Sequence, residues 1–341
     1  MTREELDLLQ TLRPGLIQME SGVQSANGST VKSIHRKPDL TKISDVMSAL
    51  GSRQNINLHL DLIAGLPFED LESFRHSFNM VYAMRPHQFQ LGFLKLLKGT
   101  ELWDRQEEYG LVCSQDAPYE VLRTRWLSFS DLELLHRISD RVEEFVNSQG
   151  FRRSLPLAET LFPDAFSMFE QLAAYYRAKG YEEKKPSAVQ RYAIFAYFVK
   201  QAGRNGEHSQ PWNPDREGCL QAGQEPEIRM QTVSSRKEHA QDDPDMEAGR
   251  IVRQNNRIVW QNSDWQQQVP SLNLILETIR LDQMLHIHAS RRMTAVETFD
   301  FGDGPTAIQF DYRYTSPVNG EARIVFEEPS QEEMTFLREK R

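Results

Sequence analysis

Apolar and polar positions along the first hundred residues change period in a regular way. Leu6, Leu8 and Leu9 begin a helix that the "RPG" turn ends, and "LIQME" follows as a strand. "STVKSIHR" and "DLTKISDVMSALGS" read as helices. The second carries Leu40, Ile43, Val46, Met47 and Leu50 on one stripe, with Gly51 just after it. "INLHLDLI" is a strand, "EDLESFRHSFNMVYAM" a helix and "HQFQLGFLKLL" another strand. Strand alternating with helix predicts βαβ units and a parallel sheet.

The texture then changes. After a short strand at "YEVLRTRWL", the pattern is helical to about residue 203. "SDLELLHRISDRVEEFVNSQ" offers Ser130 as an N-cap with Glu133 three residues on, the spacing of a capping box. "AFSMFEQLAAYYRAKG" and "SAVQRYAIFAYFVKQAG" carry aromatics at helical spacing, which we read as core packing. Residues 204–250 are dominated by Gly, Pro, Gln, Asn and Asp and read as a linker, disordered by composition. From "RIVRQNNRIVWQ" onward the expectation is strand: "LNLILETIRL", "LHIHA", "AVETFDFG" and "TAIQFDYRYT". The Asn-Gly step in "SPVNGEARIVFEE" predicts a hairpin. His286 and His288 would share one face of the "LHIHA" strand, either as a metal pair or as plain strand surface.

Side chains alternate faces along a strand. In "INLHLDLI" the residues Leu58, Leu60 and Leu62 share one face, and Asn57, His59 and Asp61 the other. In "IQMESGVQS" the residues Gln18, Glu20, Gly22 and Gln24 share a face. A parallel sheet covered on both sides is apolar on both. Two adjacent polar rows therefore mean either a lumen or cleft for a polar ligand, or a face left open to solvent. Both rows run to C-terminal strand ends followed by "GVQSANGS" and "AGLPFED", where α/β sheets and barrels bind ligands.

Composition narrows the classes. At 341 residues with 39% hydrophobic content, the chain can build a sizeable core and more than one domain. A formal net charge of −9 argues against a nucleic-acid partner held by its phosphates. The sequence holds no apolar run of membrane-spanning length, and "MTREELDLLQ" is an acidic amphipathic helix, unlike a signal peptide. Cys113 and Cys219 lie far apart, so no disulfide framework is expected and a reducing cytoplasm fits.

"ESGVQSAN…VKSIHR" followed by "DLIAGLPFED" resembles the second half of the radical S-adenosylmethionine enzyme barrel, and "FLKLLKGTELW" resembles its sixth strand. The likeness is nearest to the oxygen-independent coproporphyrinogen oxidase-like barrels. Among these it resembles cobalamin-binding radical S-adenosylmethionine proteins that end in an uncharacterised C-terminal domain. "RWLSFSDLELLHRISDRVEEFVNSQGFR" and "FDYRYTSPVNGEARIV" resemble that subfamily too, so the likeness touches residues 2–203 and 251–328. The fold class it implies is α/β. A partial (β/α) barrel of about three parallel βα units spans 1–110, a helical extension 111–203 and the linker 204–250. A smaller strand-rich α+β domain of unknown function follows at 251–341.

By the same resemblance, Glu20 and Gln24 would lie beside the ribose and amino-acid part of S-adenosylmethionine. Arg36 would meet its carboxylate, Asp61 would accept from a ribose hydroxyl, and Gly65 would let backbone approach the adenine. On the residues alone, Arg36 reads as a helix-surface cation rather than a ligand. The family's 4Fe–4S cluster needs three thiolates from a C-x-x-x-C-x-x-C loop. Two distant cysteines cannot form it, so no metal ligand is assigned, and nothing here would hold cobalamin.

In the family that loop follows the first strand and the E-x-G-x-Q-S strand comes fourth. The expectation is therefore the C-terminal part of a longer protein, completed by its missing half or by a partner chain. Alone it would be inactive, and unstable, oligomeric or partner-dependent, because a half-barrel leaves an unpaired edge. The alternative is an inactive remnant or binding protein that keeps part of the pocket. A third reading is an unrelated barrel enzyme using Glu20, His59 and Asp61 in acid–base roles. The small-molecule substrate has no recognisable code in any of them.

Overall fold

The computed structural model describes residues 1–51, 55–205, 250–254, 257–261, 270–286, 294–300, 305–315 and 321–325. The linker expected over 204–250 falls almost wholly outside them. The chain is a mixed α/β protein with a three-stranded parallel sheet and many helices. It divides into two compact units, one containing Met1–Leu155 and Phe162–Ala178, the other Pro156–Leu161 and Lys179 onward.

In the first unit the alternation read from the sequence gives α1 (Arg3–Thr11), β1 (Gln18–Gln24), α2 (Gly28–Ser33), α3 (Leu40–Gly51), β2 (Asn57–Ala64), α4 (Leu71–Ala83) and β3 (Gln88–Phe93). Gly51 closes α3 from within. The strands pair in parallel in the order β1-β2-β3, with α2 and α3 making the first crossover and α4 the second. Glu20 pairs with His59 and Gly22 with Asp61; on the other side His59 pairs with Gln88 and Asp61 with Gln90.

One face of this sheet is the core. Leu58, Leu60, Leu62, Phe89 and Leu91 are buried, as are Phe74, Phe78, Val81 and Tyr82 of α4. Two short helices, α5 (Glu101–Asp104) and α6 (Gln106–Tyr109), and a two-stranded ribbon of β4 (Val112–Cys113) and β5 (Val121–Arg123) lead to α7 (Phe129–Val142). After α7 and α8 (Ser154–Glu159), α9 (Ala165–Ala178) contributes Phe166 and Phe169. The ring of Phe78 lies 5.1 Å from that of Phe89, 5.4 Å from Phe166 and 5.8 Å from both Tyr82 and Phe169. The aromatics at helical spacing are thus packing residues.

α7 starts earlier than the capping-box reading placed it. Ser128 is the N-cap and Asp131 its partner, while Ser130 lies inside the first turn. The cause is the turn before it. Thr124 Oγ1 accepts from the backbone of Trp126 and Leu127, which fixes the chain up to Ser128. Past α7 a π-helical turn over Glu143–Asn147 sets Asn147 against β3. Phe89 N donates to Asn147 Oδ1 at 2.8 Å, and Asn147 Nδ2 donates to Phe89 O at 3.1 Å. A side-chain amide thereby occupies the edge of β3 as a neighbouring strand would.

The second unit holds α10 (Tyr181–Lys184), α11 (Ala188–Asn205), the antiparallel pair β6 (Arg250–Gln254) and β7 (Arg257–Gln261), and α12 (Leu272–His286). A second antiparallel sheet has the order β10-β9-β8, from β8 (Thr294–Asp300), β9 (Pro305–Thr315) and β10 (Ala322–Val325). The hairpin expected from Asn-Gly is present as the β9–β10 pairing, although the Asn-Gly step itself lies outside the described residues.

"LNLILETIRL" is not a strand but most of α12. Local alternation at Leu272, Leu274 and Leu276 gives way to burial at Leu274, Ile275, Thr278, Ile279, Leu281, Asp282 and Leu285, a helical spacing sustained over fifteen residues. His286 accordingly ends a helix, and His288 lies outside the described residues. Leu281 and Leu285 pack on Phe299, Ile308 and Phe310 of the sheet. Tyr312 Oη donates to Met284 O at 3.0 Å, and Arg280 pairs with Glu297 at 2.8 Å.

Phe78, fully buried where the sheet, α4 and α9 meet, is the most exacting position in the first unit. Phe78→Ala is expected to lower stability by about 3–5 kcal/mol in a urea titration, through lost burial and the cavity left behind.

Candidate functional site

The other face of the parallel sheet is polar across all three strands. Gln18, Glu20 and Gly22 of β1 lie beside Asn57, His59 and Asp61 of β2, and His59 and Asp61 lie beside Gln88 and Gln90 of β3. The parity of the first two rows shows in the sequence. The third row, in "HQFQ", carries the same signal and went unread.

His59 and Asp61 share a face two residues apart, and Glu20 stands directly across from His59. His59 Nε2 is 3.2 Å from Asp61 Oδ1, and His59 Nδ1 is 3.9 Å from Glu20 Oε2. The side chains of His59 and Asp61 are only 11% and 17% exposed, against 61% for Glu20. The face is therefore a recess with an exposed carboxylate at its rim, and not a solvated surface throughout. Neither ring nitrogen of His59 makes a hydrogen bond, nor does Asp61 Oδ1, although all three atoms are shielded from solvent. Burial pushes the Asp61 carboxyl above its ordinary pKa; the charge of Glu20 acts in the same direction, and His59 opposes both.

Gln24 joins this group through a bulge. The β1–β2 register shifts between Gly22 and Gln24, and Gln24 has φ +68°. Its side chain folds back so that Nε2 occupies the space a Cβ on Gly22 would need, with Asp61 Oδ2 3.5 Å from that same point. A glycine opposite Asp61 is what lets the amide in. Glu20, Gln24 and Asp61 are thus brought together.

Arg36 and Gly65 stand apart from them. Arg36 is exposed in the turn that closes α2, and its charge is not among those acting on Asp61. Gly65 is buried with φ +91°, and the direction a side chain would take from it is filled by Leu94, Val121 and Leu132.

The turns after β1 and β2 are joined by a residue that motif reading passed over. Glu69, fully buried, accepts from Ser25 Oγ at 2.5 Å and from Ser77 Oγ at 3.0 Å through one oxygen. The same two hydroxyls accept from backbone, Ser25 from Asn27 N and Ser77 from Ala26 N, each at 3.0 Å. Asn27 Nδ2 donates to Phe68 O at 3.0 Å and adds a direct tie. Burial outweighs the two serine donors and, helped by the charge of Asp70, raises the Glu69 carboxyl to about 7. The available clue was "FED": one carboxylate, Asp70, caps α4, which leaves Glu69 without a surface role.

Residues 107–213 match the model of a protein of unknown function, DUF4080. This match spans the helical segment and lies outside the polar face. No curated protein matches the chain. One solved structure with a likeness is coproporphyrinogen III oxidase from Escherichia coli, described as a radical SAM enzyme. The identity is 18% over 41% of this chain and 30% of that one, with a TM-score of 0.29. The chain thus spans less than a third of that protein's length. Among the described residues no helix is long and apolar enough to cross a membrane.

A carboxyl whose pKa is higher folded than unfolded favours the fold while it stays protonated, and that contribution is lost as pH rises through the folded value. The Glu69 contribution to stability, on the order of 3 kcal/mol, is expected to be lost between about pH 4.5 and 7. Glu69→Gln removes this component from denaturant titrations across that range. Identical pH profiles for the two proteins would count against a protonated Glu69.

Proposed function

We propose that the polar face of β1, β2 and β3 binds S-adenosylmethionine, as one part of a radical S-adenosylmethionine enzyme site. What supports the reading is the adjacency of the two motif strands. "ESGVQ" and "LDLIAG" are neighbours in register, and Glu20, Gln24 and Asp61 meet on one recessed face. Asp61 Oδ1, shielded and without a donor, is an acceptor suited to a ribose hydroxyl. In this reading Gln24 offers an amide to the same ligand, Glu20 faces its positive charge, and Arg36 meets its carboxylate from the mouth. In this reading the backbone of Gly65 would approach the adenine from the side away from Leu94, Val121 and Leu132. S-adenosylmethionine, when bound, supplies a sulfonium from which a methyl or adenosyl group can leave.

The residues do not fit the family's other cofactors. Three cluster thiolates cannot come from two cysteines, Cys113 and Cys219, and no residue is matched to cobalamin. In this proposal the cluster is supplied by protein outside these 341 residues, either as further sequence or as a partner chain that extends the sheet at β1. The second reading, a binding protein without redox chemistry, is favoured by the same cysteine count. The two separate on the DNA directly upstream of the Met1 codon, where an in-frame or adjacent C-x-x-x-C-x-x-C supports the enzyme.

Calorimetry with S-adenosylmethionine tests the pocket. Asp61→Ala and Arg36→Ala are each expected to weaken binding by about 1–3 kcal/mol, as a lost hydrogen bond to a charged group does. Affinity should fall as pH drops through the raised Asp61 pKa, because the neutral acid gives up an acceptor. Binding indifferent to both substitutions removes the assignment. Anaerobic reconstitution with iron and sulfide should leave this chain without a stoichiometric cluster; one cluster per chain would overturn the division of the site.

A further inference from the structure

We infer that Glu20, His59 and Asp61 form a site for one divalent transition-metal cation of the zinc class. The site stands on the geometry of β1 and β2 alone and does not require the S-adenosylmethionine reading. One donor atom from each residue can be chosen so that all lie within 4.8 Å of one another. A metal at about 2.0–2.2 Å from each ligand needs donors somewhat closer than that. His59 and Asp61 already satisfy this at 3.2 Å. Glu20 is the ligand that has to close in, and at 61% exposure its side chain is free to do so.

Three features of the recess point to a cation. An imidazole shielded from water with neither nitrogen in a hydrogen bond is an unusual expense, and Asp61 Oδ1, equally shielded and outside any hydrogen bond, approaches only its Nε2, at 3.2 Å. A metal takes up the lone pair of one ring nitrogen and the orphan oxygen of Asp61 together. Second, two carboxylates flank the imidazole, Glu20 Oε2 at 3.9 Å from Nδ1 and Asp61 Oδ1 at 3.2 Å from Nε2. Third, the donor set is one nitrogen and two oxygens from rigid, paired strands. Such a set suits zinc, cobalt or manganese better than magnesium, and three protein ligands leave coordination positions open for water or substrate. Gln88, directly across from His59 on β3 and bonded to Gln18, is placed to orient the ring from outside the ligand set.

The competing explanation is an imidazolium held between the two carboxylates, with no metal. The full chain, stripped of metal, is titrated with Co²⁺ and followed by its visible absorption, and with Zn²⁺ by calorimetry. We expect one equivalent of either ion per chain, displacement of cobalt by zinc, and no competition from Mg²⁺ at the same concentration. His59→Gln and Asp61→Asn should abolish the cobalt spectrum while the thermal melt shows each variant folded. No binding to the wild-type chain, or binding that survives His59→Gln, overturns the site; the first outcome is the one the imidazolium predicts. Arg36→Ala keeps failure of the two readings apart. It should leave cobalt binding intact while weakening S-adenosylmethionine, and saturating zinc should weaken that ligand too, because both use Asp61.

Discussion

Parallel pairing of β1 with β2, with Glu20 opposite His59 and Gly22 opposite Asp61, is the constraint on which the site depends. Side chains alternate along a strand, so a slip of one residue would turn the polar row toward Phe78 and expose Leu58, Leu60 and Leu62. The buried face therefore enforces the register of the polar face. Burial of Leu60, Leu62, Phe89 and the α4 aromatics supplies the energy, and the chemistry of the opposite face follows from it. The amide of Asn147, clasped to Phe89, fixes the far edge of the same sheet.

The loops at the strand ends are held by a different device. Ser25 and Ser77 each donate to Glu69 and each accept from the turn after β1, so one buried carboxyl organises both the "SGVQSAN" and "GLPFED" turns. Its second oxygen makes no hydrogen bond, so neither charge state of the carboxyl is fully satisfied there. A charged glutamate would strengthen the serine bonds yet carry an unsolvated charge, and burial is the larger effect. The backbone at Ala26 and Asn27, just beyond Gln24, is thus positioned by a group whose charge state depends on pH.

The sheet and its two faces were legible because strand periodicity is short and rigid: four buried residues alternate with four less buried ones along β2 without a fault. Three things were not legible, each for a stated reason. Two serines two residues apart each had an acid three positions on, and only the Thr124 turn decides for Ser128. In α12 a run of leucines and isoleucines fits both periods locally, and length decides it. Glu69 sits next to a better cap, so its burial is a tertiary fact with no local signature. Of the candidate site, Glu20 and Asp61 fall together as their strands do, while Gln24 reaches them only through the bulge after Gly22. Arg36 and Gly65 belong to turns, whose side-chain directions no periodicity fixes.

A recess with two carboxylates and one imidazole is an electrostatic statement as well as a geometric one. Burial raises the pKa of Asp61 first of all, and the like charge of Glu20 adds to it, so a proton or a cation relieves both. A sulfonium ligand and a divalent metal answer the same need in different ways. In the proposed function the sulfonium would bring its charge at the end of a ligand that extends toward Arg36 and the loop backbones. The metal brings a denser charge that draws Glu20 inward and occupies Asp61. The two therefore compete for one carboxylate while differing in their demand on His59, which the metal requires and the adenosyl ligand does not. That difference makes His59 the residue whose chemistry distinguishes between the two proposed occupants of this face.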